Sequence, residues 1–202
     1  MTKALPIKFN VPGSTIDVPE EGHVDMVRVE RTLAWLKEHY KFWDQSYFMD
    51  PGDSLMNVVH RTTETTVPMV FDLQESDDGE NECGTTFCFA GAALILHDRL
   101  AIRNTNPNWP QLWPLAADGE FAHDHPVAAK ELLGLTDDQE ELIFYLVPVE
   151  RQDYDVDVFI QYVRDVVTGK ANNKAHYYEM LYAKHSELDP RNENYVGDAD
   201  AE

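Results

Sequence analysis

The residues best suited to carry out chemistry are Cys83 and Cys88. They are the only cysteines of the 202-residue chain. A thiol at the start of a helix has a lowered pKa, because the helix dipole and the free amide groups favour the thiolate. Either cysteine could therefore be a nucleophile if a base lay beside it. The chain has eight histidines, and His176 is the candidate base. This pattern supports one hypothesis, a cysteine-dependent hydrolase or transferase.

Zinc is another hypothesis for the same segment, because Cys83, Cys88 and His97 are residue types that bind it. Helical geometry opposes this, since Cys88 and His97 would be separated by about 900° of rotation and point to opposite sides. On one helix, Cys83 and Cys88 would lie about 140° and roughly 7.5 Å apart, which also disfavours a disulfide. We therefore predict no metal and no cofactor, and keep a small zinc-bound structural domain as the third alternative.

A structural role accounts best for Cys88. Residues 85–100 are predicted to form a helix, and residues 87–96 are apolar on every side, which is typical of a buried helix. Cys88 would be a small apolar residue within it, and Gly84-Thr85 would form the turn and cap before it. Gly91 lies among alanines, so another element could approach the helix closely. These features favour a protein that is not an enzyme.

The predicted fold is mainly α (α+β), with five or six helices around this buried helix and a minor β-hairpin. Pro126 is expected to open a helix that Gly134 ends, and Thr136 with Gln139 forms a capping box for the next helix. The other helices are expected at about residues 24–40, 154–168 and 174–188. Strands are expected over Ile7, Phe9 and Val11 and within residues 58–71. Residues 1–188 are predicted to form one domain, and residues 189–202 a disordered acidic tail.

Negative charge is the dominant property of the composition, with 37 acidic residues against 16 Lys and Arg and a net charge of −21. Such a chain is not expected to bind nucleic acid directly. The densest acidic segment, residues 72–82, is predicted to be a solvated loop and contains Asp72, Glu75, Asp77, Asp78, Glu80 and Glu82. Further acids at 137, 138, 140, 141, 150, 153, 155 and 157 could form one negative face with this loop and the tail.

Two interpretations of this charge stay open. The acids could only solvate the surface, or they could steer a partner with a basic surface into contact. Mimicry of DNA would be a special case of the second interpretation. Trp109 and Trp113 lie between prolines and could be rigid aromatic anchors for such a partner.

The chain has no apolar run of about 18 residues and no apolar segment near its start, so neither a membrane span nor a signal peptide is predicted. With two cysteines it also lacks a disulfide framework. A cytoplasmic location is the resulting expectation. The motifs of phosphate-binding loops, dinucleotide-binding folds, zinc proteases, serine hydrolases and EF-hands are all absent from the sequence.

Three blocks of the sequence resemble a family of small uncharacterised proteins that are common in actinobacteria and their phages. They are Trp43-Asp44-Gln45, then Cys83-Gly84-Thr85-Thr86-Phe87-Cys88-Phe89-Ala90-Gly91, then Leu132-Leu133-Gly134-Leu135-Thr136. The blocks fall between about Leu33 and Leu146, just over half of the chain. The family usually carries an aromatic residue where this chain has Ala92. The resemblance implies a phage or prophage origin and a shared fold, and it implies no activity.

The function expected from the sequence is that of a phage or prophage accessory protein without enzymatic activity. Its acidic surface would bind a host protein with a basic surface, such as a nucleic-acid-binding or defence protein, in the host cytoplasm. The cysteine-dependent enzyme and the zinc-bound domain are the alternatives. The sequence does not predict an oligomeric state.

Overall fold

A computed structural model of the chain describes residues 5–7, 13, 15–40, 49–50, 69–71, 86–103, 111–146 and 155–192. Several predictions fall outside the described residues: Phe9, Val11, the pair at 58–59, the six acids of the 72–82 loop, Cys83, Gly84, Thr85, Trp109, the acids at 150 and 153, and residues 193–202 of the tail.

The described residues form a mainly α fold with a minor antiparallel β component, which confirms the predicted fold class. The helices are α1 Met26–Glu38, α2 Phe89–Leu96, α3 His125–Leu133, α4 Asp137–Phe144, α5 Val156–Val167 and α6 Ala175–Lys184. The strands are β1 Leu5–Ile7, β2 Met49–Asp50, β3 Met69–Phe71, β4 Thr86–Phe87, β5 Leu100–Arg103 and β6 Gln111–Pro114.

Helix α2 lies at the centre of the core, as predicted, and every residue from Phe89 to Ile95 is buried. It packs against α1 and α3, and the Phe89 ring lies 6.2 Å from that of Phe144 and 6.0 Å from that of Phe159. The predicted bounds, 85–100, are too wide. The backbone is extended up to Cys88, and at the other end the helix stops before Asp98, which has a left-handed φ of 55°.

The described strands form three antiparallel pairs. Strand β3 lies at the end of the region where strands were predicted, and it pairs with the N-terminal strand β1, with Pro6 opposite Val70. Strands β5 and β6 pair with Ala101 opposite Trp113. Pro114 occupies the last position of β6, where a proline is tolerated.

The predicted caps of α3 and α4 are confirmed. Gly134 ends α3 in the left-handed conformation, with φ 69°. The Gln139 amide donates to Thr136 Oγ1 at 3.2 Å, and the Thr136 amide donates to Gln139 Oε1 at 3.1 Å. These reciprocal bonds satisfy two amide groups that a helix start otherwise leaves without partners.

The outer helices cover the core with apolar side chains. In α1, Val29, Leu33 and Leu36 are buried, whereas Met26 and Tyr40, the ends of the predicted stripe, are exposed because they lie at or beyond the helix ends. Helix α6 is shorter than predicted and is followed by a 3₁₀ turn over Ser186–Leu188. Of the predicted tail, residues 189–192 form a turn held by a bond from Asn192 Nδ2 to Ser186 O.

Among the described helices, none combines the length and the apolar character that crossing a membrane requires.

The left-handed glycine at the end of α3 provides a test of the packing. A Cβ on Gly134 would lie 2.4 Å from the His23 carbonyl oxygen and 2.7 Å from Pro19 Cγ. We expect Gly134→Ala to lower the free energy of unfolding by about 2–5 kcal/mol, since the costs of backbone strain and of overpacking add.

The control is a glycine with nearly the same backbone conformation. Gly169 has a φ of +73°, but nothing lies within 4 Å of the added Cβ. Gly169→Ala is therefore the control and should cost about 1–2 kcal/mol. Equal losses in chemical denaturation would contradict the predicted collision.

Candidate functional site

Cys88 is a buried capping residue. It is the N-cap of α2, with an extended backbone, and its Sγ accepts a hydrogen bond from the Gly91 amide at 3.5 Å. Its side chain is fully buried. The sequence placed Cys88 inside the helix, so its position at the boundary is a correction, although the predicted burial is confirmed. A buried thiol that caps a helix is poorly placed to attack a substrate.

His176, the candidate base, is held by an aspartate. It lies in the first turn of α6, with Nε2 3.1 Å from Asp165 Oδ2 and its ring 6.4 Å from that of Tyr162. The pair links α5 to α6 at their facing ends. These contacts give His176 a structural role between two helices.

His97, the candidate zinc ligand, lies at the opposite end of α2 from Cys88, where it is the C-cap. The Thr32 hydroxyl donates to Arg28 O at 2.8 Å, so Thr32 Oγ1 accepts from His97 Nε2 at 3.3 Å. Burial lowers the pKa of His97, and the charge of Arg31 lowers it further. In the part of the chain that the structure describes, no three His, Cys, Asp or Glu side chains are grouped to hold a metal ion.

Trp113 is anchored within the fold. Its Nε1 donates to the Ala122 carbonyl oxygen at 2.7 Å, and its ring lies 5.8 Å from that of His125. The indole therefore ties β6 to the start of α3, and it is half-buried.

Negative charge is unevenly distributed along the described residues. Residues 113–146 contain one basic residue, Lys130, and eight acids: Asp118, Glu120, Asp124, Glu131, Asp137, Asp138, Glu140 and Glu141. Residues 155–192 contain six acids but also five basic residues. Among the described residues, the excess of acids over bases is therefore largest around α3 and α4.

The acids predicted at the start of α5 are neutralised by neighbouring bases. Asp155 accepts from Lys184 Nζ at 3.0 Å and from His185 Nε2 at 2.6 Å. Asp157 pairs with Lys37 at 2.7 Å. This region is an ion-pair cluster that joins α1, α5 and α6, and it contributes little to a negative face.

The acids of α4 keep more of their negative charge. Lys130 pairs with both Asp137 and Glu140, and Lys174 pairs with Glu141 at 2.7 Å. The Lys130 side chain is 18% exposed, whereas those of Asp137 and Glu141 are 81% and 63% exposed. The carboxylates of Asp137 and Glu141 therefore face solvent, whereas Lys130 and the Glu140 side chain, which is 13% exposed, lie deeper.

Tyr145 lies among these carboxylates, at the C-cap of α4, and is 42% exposed. Burial raises the pKa of its hydroxyl, and so do the charges of Glu140, Asp124 and Glu141. The term acidic face is used below for Asp124, Asp137, Asp138, Glu140, Glu141 and Tyr145.

Tyr145 was not identified from the sequence as a candidate. The available signal was its spacing, because it follows Glu141 by four residues and such pairs are neighbours on a helix surface. An aromatic ring surrounded by carboxylates can bind a protein that carries lysine or arginine side chains.

Comparisons of the chain with protein-family models, with curated proteins and with solved structures found no match.

The capping role of Cys88 can be tested by two substitutions. Ser is a favoured N-cap and can accept the Gly91 amide, so we expect Cys88→Ser to change the free energy of unfolding by less than about 1 kcal/mol. Cys88→Ala leaves that amide without its acceptor and should cost about 1–2 kcal/mol. A residue that only filled apolar space would give the reverse order, because it would tolerate Ala better than a hydroxyl. In the wild type, rapid labelling of Cys88 by a thiol reagent at neutral pH would contradict its burial.

The Asp155 cluster predicts a defined pH dependence of stability. Burial alone would raise the pKa of Asp155, but hydrogen bonds from Lys184, His185 and the Val158 amide lower it to about 2. Because the folded pKa lies below the unfolded value, the stabilisation is complete above about pH 4 and is lost as the pH falls through about 2.

Asp155→Asn keeps an N-cap residue but removes the charge. We expect it to lower the free energy of unfolding at pH 7 by about 2 kcal/mol. The difference from the wild type should shrink between about pH 4 and pH 2 in chemical denaturation. A constant difference across this range would mean that the charge of Asp155 does not contribute.

Proposed function

We propose that the chain is an accessory protein without enzymatic activity, whose acidic face binds a partner protein with a basic surface. The observation that carries this proposal is the charge of residues 113–146, which contain eight acids and one lysine. Arg99 and Lys174 pair with two of these acids, Glu131 and Glu141, so the excess of negative charge is reduced but remains. Either sign of charge keeps a surface solvated, but a patch that carries mostly one sign also steers a partner of the opposite sign.

The geometry of the acidic face supports a binding role. Exposed carboxylates act mainly on the rate of association, because they attract a basic partner before contact. Tyr145 adds a partly exposed aromatic ring at the same place, and such rings supply much of the contact energy in protein interfaces. The face thus combines long-range attraction with a short-range anchor.

The partner that fits this chemistry is a protein whose own function requires a basic surface, such as a nucleic-acid-binding or defence protein of the host. The acidic face would then occupy the surface that binds phosphates. A phage or prophage origin, implied by the sequence resemblance, is consistent with such a partner and with action in the host cytoplasm. The acids of residues 72–82 would extend the same attraction.

The burial of Cys88 favours this proposal over an enzyme that uses this thiol. Cys88 is fully buried and caps a helix. His97 is bound to Thr32 at the far end of the same helix from Cys88.

The proposal predicts that partner binding depends on the acidic face and on salt. The test variant carries Asp137→Asn, Asp138→Asn and Glu141→Gln, and association with the partner should be at least about tenfold slower because the steering field is weaker. The partner would be obtained by affinity capture with the wild type from an actinobacterial lysate, identified by mass spectrometry and purified. Association rates are then measured at low and at high ionic strength, where screening should reduce the difference.

The matched control changes the same amount of charge elsewhere, with Glu38→Gln, Glu179→Gln and Glu187→Gln, three exposed acids outside the acidic face. It should retain the wild-type association rate to within about twofold. Equal slowing by both variants would show that only net charge matters. No slowing by either variant would contradict the proposed surface.

A further inference from the structure

Arg99 is the largest fully buried side chain among the described residues. Its Nε donates to the Leu115 carbonyl oxygen at 2.8 Å, but in the described part of the chain neither Nη1 nor Nη2 has a hydrogen-bond partner. A buried charged group that lacks partners is costly, so such groups are rare in folded proteins and call for an explanation. The guanidinium has two donor atoms in position for a ligand.

The carboxylate that balances the charge of Arg99 is that of Glu131. Glu131 Oε2 lies 3.6 Å from Arg99 Nη2, beyond hydrogen-bond distance, and accepts from the Ala117 amide at 3.3 Å. The Glu131 side chain is 35% exposed, in contrast to the fully buried arginine. The carboxylate thus lies between a guanidinium and a backbone amide, which are both donors that bind oxyanions.

A second arginine binds the backbone beside Glu131. Arg28 Nη1 donates to the carbonyl oxygen of Leu132, the residue next to Glu131, at 3.1 Å. Arg28 has a counter-ion of its own, because its Nε lies 3.4 Å from Asp25 Oδ2. Burial lowers the pKa of Arg99, the charge of Glu131 opposes this, and the charge of Arg28 lowers it further. The positive charge available to an anion at this place is therefore that of Arg99.

The backbone directs Arg99 into this position. The preceding residue, Asp98, has a φ of 55°, and among the described residues it is the only non-glycine residue with a positive φ. Asp98 ends α2 as the left-handed residue that follows the C-cap, because the Arg99 amide donates to Leu94 O at 2.9 Å and the Asp98 amide to Ile95 O at 3.4 Å. This turn sends the chain from the end of α2 into β5 with the arginine facing inwards.

From this arrangement we infer that Arg99 and the Ala117 amide form a binding site for a small oxyanion, a carboxylate or phosphate group, whose place Glu131 occupies in the free protein. The ligand would displace the partly exposed Glu131 side chain towards solvent and pair with Nη1 and Nη2 of Arg99. This site is separate from the acidic face and does not depend on the proposed function.

The experiment measures the melting temperature in inorganic phosphate, in acetate and in sodium chloride at matched ionic strength. For the wild type we expect at least one oxyanion to raise the melting temperature about 2 °C above the chloride value, because a ligand that binds only the folded state stabilises it. Glu131→Gln removes the competing carboxylate and should increase this shift to about 4 °C or more. The comparison of phosphate with acetate identifies which oxyanion the site prefers.

Two further variants make the test specific. Arg99→Met should abolish the shift, and Glu30→Gln is the control for Glu131→Gln, because it removes the carboxylate of a more exposed ion pair, with Arg164. The Ala117 amide resonance in a heteronuclear NMR titration should move with the oxyanion in the wild type and in Glu131→Gln. This readout does not require that Arg99→Met folds.

The inference is overturned if neither the wild type nor Glu131→Gln responds to phosphate or acetate beyond the effect of chloride. It is also overturned if Glu30→Gln gains the same shift as Glu131→Gln, or if the Ala117 resonance stays fixed during the titration.

Discussion

Helix α2 contains no polar side chain, and the rest of the structure follows from the need to remove it from water. An eight-residue helix that is apolar on all sides has no face for solvent, so it is stable only when neighbouring elements cover it completely. Helices α1 and α3 pack directly on it, and the rings of Phe144 and Phe159 close over Phe89. Burial of its apolar surface is the main source of stability in such a core.

This constraint decides what the polar groups near α2 can do. The first amides of a buried helix need hydrogen-bond acceptors, and the Cys88 thiol accepts from one of these amides. This capping role places a cysteine, the most reactive residue type of the described chain, in the core. At the other end, His97 is held by Thr32, and the turn over Asp98 places Arg99 inside the protein. The proposed oxyanion site is therefore a consequence of how the chain leaves its central helix.

The acidic face depends on the positions of the basic residues more than on those of the acids. Acids are frequent throughout the sequence, but residues 155–192 contain five bases and six acids, whereas residues 113–146 contain one base and eight acids. Arg99 and Lys174, from outside this segment, pair with two of the eight. The ion pairs around Asp155 join helices and stabilise the fold, so these charges are largely compensated. The face around Tyr145 keeps a net negative charge and faces solvent, which is the arrangement that long-range attraction of a basic partner requires.

Periodicity, caps and composition determined the local features of this protein. The apolar stripe of α1, the buried character of α2, the left-handed end of α3 at Gly134 and the capping box of Thr136 all depend on neighbours within a few residues, so the sequence alone was sufficient for them. The net charge of −21 likewise needed no structure.

Only the tertiary structure decided which distant residues meet. Pairing of β1 with β3 and of β5 with β6 depends on contacts across the chain, which strand propensity does not encode. The end of α2 before Asp98, the loose pair of Arg99 with Glu131 and the carboxylates around Tyr145 depend on how separate elements pack. The physical reason is that local preferences are worth a few tenths of a kcal/mol per residue, whereas burial of a whole side chain is worth about 1.5–3 kcal/mol, so packing decides where the two conflict.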